Sequence, residues 1–263
     1  MDICYKGMGI SIVSPLKTRI DPCIAPDAVM VMIPFALRKM IAIARAKQAS
    51  FSDGGIYNLY LSDTESRDFI PPVAIAGPFT GAPVAVIGME KLIVMGAKRI
   101  WVFGWCGSVN PGLKTGDVII PDGAISEEGT SVHYPVTSKP APDAQLIKRL
   151  EDAVNKRGLR FTKGKVWTTD APYMETSEKV LRYMQEGVLA VEMELSALMT
   201  VAAYRSARMA ALFVVSDELF DMRWKRGFSS PALKKTSVEA MKILYENITN
   251  QIMENNHDIT GKS

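Results

Sequence analysis

A chain of 263 residues, 48% hydrophobic and 22% charged, has enough apolar material for one large core or at most two. A formal net charge of +3 is too small to argue for nucleic acid or a membrane as partner, and the basic residues are scattered apart from 223–226 and 234–235. Three unpatterned cysteines (Cys4, Cys23, Cys106) and two histidines (His133, His257) speak against a disulfide framework, a zinc site or a His-based metal site. No cofactor is expected.

Residues 1–27 are mixed and turn-prone, with no secretory signal, and no apolar run in the chain is long enough to span a bilayer. A cytoplasmic location is the expectation. In chain order, 28–34 reads as a buried strand, 35–47 as a helix, 50–55 as a loop and 56–61 as an alternating strand. A polar connection over 62–68 leads to a short buried strand at 73–76, a Gly/Pro turn at 77–83 and an amphipathic helix over 84–95. A strand at 100–104 runs into a Gly-containing loop, 105–112, and a further strand at 117–120 precedes a polar stretch, 124–134. Helices are expected at 143–157, with Asp143 as an early-turn acid, and at 177–185, with a strand at 164–169 before the second. The apolar runs 188–194 and 211–217 enclose a helical pattern; segment 218–233 reads as a cover, 236–253 as a closing helix and 255–263 as a frayed tail. Strands alternating with helices, without a repeat or a composition break, predict a single-domain three-layer α/β/α fold around a central mixed twisted sheet over 1–263.

Two of the apolar runs end in acids. Glu194 closes the first and Asp217 the second, 23 residues apart, about the length of one helix and one strand. In an open α/β sheet the carboxyl ends of neighbouring strands form the ligand crevice, so this spacing can bring both acids to one pocket. Were the first run strictly extended, Glu192 and Glu194 would share a face, with Met193 opposed. Acids brought together repel, so at least one stays protonated near neutrality and is available as a general acid. The other reading of the same acids is helix capping, since a helix begins near Ser196.

The glycine loops 77–81 and 104–112 fit neither the dinucleotide fingerprint nor the P-loop; each is a tight turn or a place where backbone N–H groups meet an anion. Trp105, Trp167, Tyr173 and Trp224 fall near strand ends or in loops, where a ring stacks on a flat ligand or packs against the fold.

Together these segments resemble the nucleoside phosphorylase family, which includes purine nucleoside phosphorylase, uridine phosphorylase and the methylthioadenosine/S-adenosylhomocysteine nucleosidases. The resemblance runs from Val29 to Met253. It is carried by Val191, Glu192, Met193 and Glu194 with Ser216 and Asp217 at the family's interval, and supported by Gly104 to Gly107, Gly116–Asp117, Gly77 to Pro83, and Thr169–Asp170 with Tyr173. It implies that Glu194 accepts hydrogen bonds from the ribose diol, with Met193 packed on the sugar and Glu192 close by. It also implies that Asp217 protonates the departing base, and that Trp105, Cys106, Gly107, Pro172 and Tyr173 adjoin that base. Pyrimidine-selective members carry a Gln and an Arg in the base segment; 168–175 has neither, which favours a purine.

The nucleophile half departs from the family. Of the Gly-Asp-Pro-x-Arg phosphate turn only Arg38 survives, Val102 stands where a second phosphate arginine is expected, and Trp105 replaces a serine. The amino-terminal histidine is missing, and the arginine assisting the catalytic Asp falls near Ser230, leaving Arg223 or Arg226 as substitutes. No acid lies between Pro34 and Ser50 to activate water as in the nucleosidases. The resemblance thus implies cleavage of a purine nucleoside, by phosphorolysis with inorganic phosphate held by Arg38 and by backbone donors from Gly77 onward. The alternatives are hydrolysis with Glu192 or Asp170 orienting water, and a nucleoside-binding member without catalysis. A homo-oligomer, dimer or hexamer, is implied by the resemblance alone.

Overall fold

The computed structural model describes residues 11–63 and 71–260. Cys4, and the part of the polar connection beyond Asp63 up to Asp68, lie outside the described residues. Strand β1 (Asp27–Val31) is buried at every position and continues through Pro34 at the first helical position into α1 (Pro34–Ala44). Proline suits that position because its missing N–H would have had no partner. A short hairpin pairs β2 (Lys47–Ala49) with β3 (Asn58–Leu61). Strand β2 gave no sequence signal: its Lys-Gln-Ala is mostly exposed and lacks apolar alternation. Strand β4 (Ala74–Gly77) then leads to α2 (Ala82–Met95).

Strand β5 (Arg99–Ser108) runs well past the predicted end at residue 104, because it pairs in parallel with β9 (Arg208–Glu218) along its whole length. Residues 105–108 are therefore strand, not loop. Strand β6 (Val118–Glu127) likewise absorbs part of the stretch expected to be a polar loop. Its far half is half-buried and pairs with β7 (Phe161–Thr169) after an irregularity at Pro121–Gly123, so no alternation marks it. Helix α3 (Ala144–Lys156) is capped by Asp143, whose carboxylate accepts from the N–H groups of Gln145 and Leu146 at 3.0 Å each. Helix α4 (Ser177–Gln185) has the predicted bounds, with Thr176 as its cap. Strand β8 (Ala190–Glu192) and α5 (Leu195–Arg205) lead into β9; β10 (Lys225–Arg226) and α6 (Pro231–Thr260) close the chain. Helix α6 continues to Thr260 through much of the predicted tail; residues 261–263 lie outside the described residues.

Among the described residues ten strands form one mixed sheet in the order β10-β9-β6-β7-β8-β5-β1-β4-β3-β2. Because β9 also pairs with β5, strands β5, β9, β6, β7 and β8 close into a ring, from which β1, β4, β3 and β2 extend as an open wing. One face packs on α2 and α5, around Met89, Leu92, Leu198 and Phe213. The other packs on α1, α3 and α6, around Trp101, Phe103, Leu150 and Leu244. This is the expected three-layer arrangement. The ends of β5, β8 and β9 come together at one rim, as carboxyl ends of strands do at a ligand crevice.

Candidate active site

That rim opens into a cavity of about 560 Å³, the size of a small-molecule site. Glu194 and Asp217 both line it, from opposite ends of α5 and β9. Met193, Glu192, Trp105, Cys106, Gly107, Pro172 and Tyr173 line it as well. The sugar and base residues proposed from the sequence therefore share one space.

Glu192 and Glu194 take different roles within it. Strand β8 ends at Glu192, so the strictly extended geometry does not hold. One Glu192 oxygen accepts from the Thr168 hydroxyl; the other accepts from the backbone N–H groups of Glu194 and Leu195 at 2.8 and 2.7 Å. Glu192 thus caps α5, meeting donors that a helix start leaves without partners. Glu194 makes no cap hydrogen bond; its Oε1 accepts from Gly81 N–H at 2.6 Å. Burial, then the charge of Glu192, pushes the Glu194 carboxyl upward. Burial also raises Glu192, against the hydrogen bonds from Thr168 and the helix start.

Asp217 sits where β9 pairs with the bulged end of β5. Gly107 makes room for it: a Cβ there would lie 2.7 Å from Leu219 Cδ1 and 3.2 Å from Asp217 Oδ2. The Ser216 hydroxyl is 2.6 Å from Asp217 Oδ1, and Trp224 Nε1–H donates to Oδ2 at 2.7 Å. Burial raises the Asp217 carboxyl, and those two neighbours oppose the rise. Cys106 beside it is fully desolvated, and burial, Asp217 and Glu192 push its thiol far above the ordinary range. That thiol is no nucleophile at neutral pH.

Met32, Thr80 and Glu175, to which sequence reasoning gave no role, also line the cavity, as do Ser216 and Phe228. Glu175 stands out, since no hydrogen bond to its carboxyl is present among the described residues. Burial, then the Asp217 charge, pushes it up to about 7. Only its place just before the Thr176 cap hinted at it. Phe228 stacks on Trp105 with centroids 6.3 Å apart, and meets Trp224 edge-on at 6.2 Å. Segment 218–233 is therefore an aromatic cover, as expected. Tyr173 is 93% exposed at the mouth, so in this conformation it does not clamp a base.

Other expectations fall outside the cavity. Arg38 is exposed on α1 and does not line it. Gly77 does not line it either; it serves packing, since at φ +149° a Cβ would lie 2.2 Å from the Val31 carbonyl oxygen. The Gly81 N–H is taken by Glu194 instead of an anion. Arg223 and Arg226 are exposed and absent from the lining, and the covering segment reaches Asp217 through Trp224. Trp167 is core, donating to Glu127 at 3.0 Å and packing on Tyr183. Asp170 accepts from Gly129 N–H at 2.8 Å, away from the cavity. Among the described residues no Lys, Arg or His lines the cavity, and no cluster of His, Cys, Asp and Glu suits a metal ion. No helix of the described residues is long and apolar enough to cross a membrane.

The fold and its acid-lined rim define an α/β protein of the phosphorylase type. Residues 62–245 match the family model described as Phosphorylase superfamily, and the chain belongs to that superfamily. It is 34% identical over 151 residues to the DeoD-type purine nucleoside phosphorylases of Bacillus cereus and Bacillus cytotoxicus. Those alignments cover 56% of this chain and 64% of each relative, so the chain spans under two thirds of the length of the relatives it matches. Among solved structures, purine nucleoside phosphorylase from Toxoplasma gondii in complex with immucillin-H superposes with a TM-score of 0.77 at 20% identity, covering 93% of this chain and all of that one. Uridine phosphorylase from Vibrio fischeri gives 0.71 at 18%, covering 85% and 93%. At these identities the two structures speak for the fold.

Proposed function

We propose that this protein cleaves the N-glycosidic bond of a purine nucleoside, transferring the sugar to inorganic phosphate. The observation that carries this reading is that Glu194 and Asp217 line one cavity, which Met193 and the aromatic cover also line. Glu194 holds the sugar hydroxyls. Asp217 gives a proton to the base as the bond to the sugar breaks, which relieves the negative charge building on the leaving group, an effect of about 10²–10⁴-fold in rate. The Bacillus relatives named as purine nucleoside phosphorylases support both the purine and the phosphate. Inorganic phosphate is then a co-substrate, and no cofactor enters the chemistry.

One observation favours a second reading, hydrolysis: the cavity wall carries four carboxyl groups (Glu175, Glu192, Glu194 and Asp217) and, among the described residues, no basic side chain. Phosphate needs donors, and in this conformation those lining the cavity are neutral groups such as Thr80, just before α2. Phosphorolysis therefore requires a cation brought by a second copy in a dimer or hexamer, or by a rearranged segment. In the hydrolytic reading Glu175 orients the water, because Glu192 and Asp170 are committed to other partners.

Incubating the full chain with adenosine, inosine, guanosine and uridine, with and without phosphate, tests the choice. Purine release that depends on phosphate, with ribose 1-phosphate formed, is expected. Release indifferent to phosphate replaces phosphorolysis with hydrolysis. Tight nucleoside binding with no product over long incubation leaves a binding protein.

A further inference from the structure

We propose that Trp224 is the positioning residue for Asp217, fixing one carboxyl oxygen with a neutral N–H from the segment that covers the cavity. The proposal rests on the glycosidic reading above for its chemical consequence, and on the observed hydrogen bond for its geometry. The Nε1–Oδ2 distance is 2.7 Å, while Trp224 is 54% exposed and Asp217 only 9%. A half-exposed ring thus reaches in from the surface to a buried acid.

The ring is not free to wander. Its edge contact with Phe228 and the stacking of Phe228 on Trp105 form a row of three rings. Trp105 is tied in turn to α6, its Nε1 donating to Ser237 Oγ at 2.9 Å. Oδ1 of Asp217 faces the Ser216 hydroxyl, which also lies 3.2 Å from the Cys106 carbonyl oxygen. Pinned on both oxygens, the carboxyl has its orientation set before any ligand arrives, the preorganisation that proton transfer rewards.

The sign of the donor matters. A guanidinium beside Asp217 would favour its ionised form more strongly than an indole N–H does, and the weaker donor leaves burial freer to keep a proton on. In the transfer step the Asp217 O–H proton passes to a base nitrogen while the C–N bonding pair leaves with the base. The carboxylate that remains is then stabilised by the Trp224 N–H, and the sugar cation is taken by phosphate. The ionisable groups around Asp217 are Cys106 on β5, Glu175 before α4, Glu192 on β8, Glu194 at the start of α5, Glu218 beside it on β9, and Arg226, which pairs with it across β10. Of these the Glu218 charge works with burial, and among the described residues Trp224 is one of two donors opposing it.

Two substitutions test this in the full chain, each read by ¹³C-carboxyl NMR titration of Asp217 (assigned with D217N) and by the pH profile of kcat/KM. W224F keeps a ring and removes the N–H. The Asp217 titration and the alkaline limb of the profile are expected to move to higher pH, with kcat down about 10-fold and KM little changed. W224R introduces a cation and is expected to move both to lower pH. Opposite movements do not arise from general loss of packing. If neither variant moves the Asp217 titration, the proposal is overturned. If the titration moves as stated but no nucleoside turns over in any variant, Trp224 holds Asp217 and the glycosidic reading is what fails.

Discussion

Glu194 lines the cavity, and its Oε1 accepts a short hydrogen bond from Gly81 N–H. A vicinal diol entering the cavity would meet that carboxyl and share its acceptors. Glu194→Gln keeps the size and loses one acceptor, so a rise in nucleoside KM of about 10-fold or more is expected from steady-state kinetics, with a smaller change in kcat. Arg38 gives the opposite expectation. Being exposed on α1 outside the cavity, it is expected on substitution to Ala to leave the KM for phosphate within about twofold, measured by varying phosphate at saturating nucleoside. At this scale the sequence made Glu194 and Asp217 legible because each ends an apolar run. It did not reveal Glu175 or the Trp224 contact, since both depend on where loops fold back. Arg38 was named from one surviving motif residue, and the place of its side chain relative to the cavity is not legible from that residue alone.

The start of α5 depends on the acid two residues before its cap position. Glu192 satisfies two buried N–H groups and the Thr168 hydroxyl. Glu192→Ala leaves these without partners, at about 1–3 kcal/mol for each buried group. The expected loss is at least about 2 kcal/mol by urea unfolding, with little loss for Glu192→Gln, which keeps an acceptor and buries no charge. Strand lengths were the least readable element property. Strand β5 continues through Gly104 and Gly107 because β9 lies alongside for its full length, and a long-range partner leaves no local mark. Helix α4, with a Thr cap and an amphipathic face, carried its own boundaries and could be read directly.

Two sets of carboxyl groups pull the stability of the whole molecule in opposite directions. Asp21, held by Lys91 at 2.7 Å on α2, ties residues 11–21 to the fold. Burial pushes Asp21 up, yet the Lys91 hydrogen bond and the N–H groups of Ser52 and Thr18 outweigh it and hold it well below the ordinary carboxylate range. That contribution is present above the ordinary Asp pKa and is lost as pH falls below it. Glu175 is raised to about 7, so between its ordinary value and about 7 the folded state binds the extra proton and stability falls as pH rises. The raised carboxyls of Glu192, Glu194 and Asp217 act in the same sense. Thermal melting is therefore expected to peak near about pH 5 and decline toward pH 8, with a shallower decline in Glu175→Gln. The layer architecture was legible from the alternation of strands and helices. The closed ring was not, because it depends on β9 pairing with both β5 and β6, a choice made by register and not by composition.

Helix α5 is buried along eight consecutive residues, Leu195 to Ala202, and joins the acid at its start to the strand that ends at the other acid. Such a tie behaves as a gauge block. The distance between the two carboxyls is set by a buried helix, whereas the roof over Asp217 is made of half-exposed rings. Modified bases with added bulk should accordingly be tolerated, while analogues that lengthen the span from sugar to base should not fit.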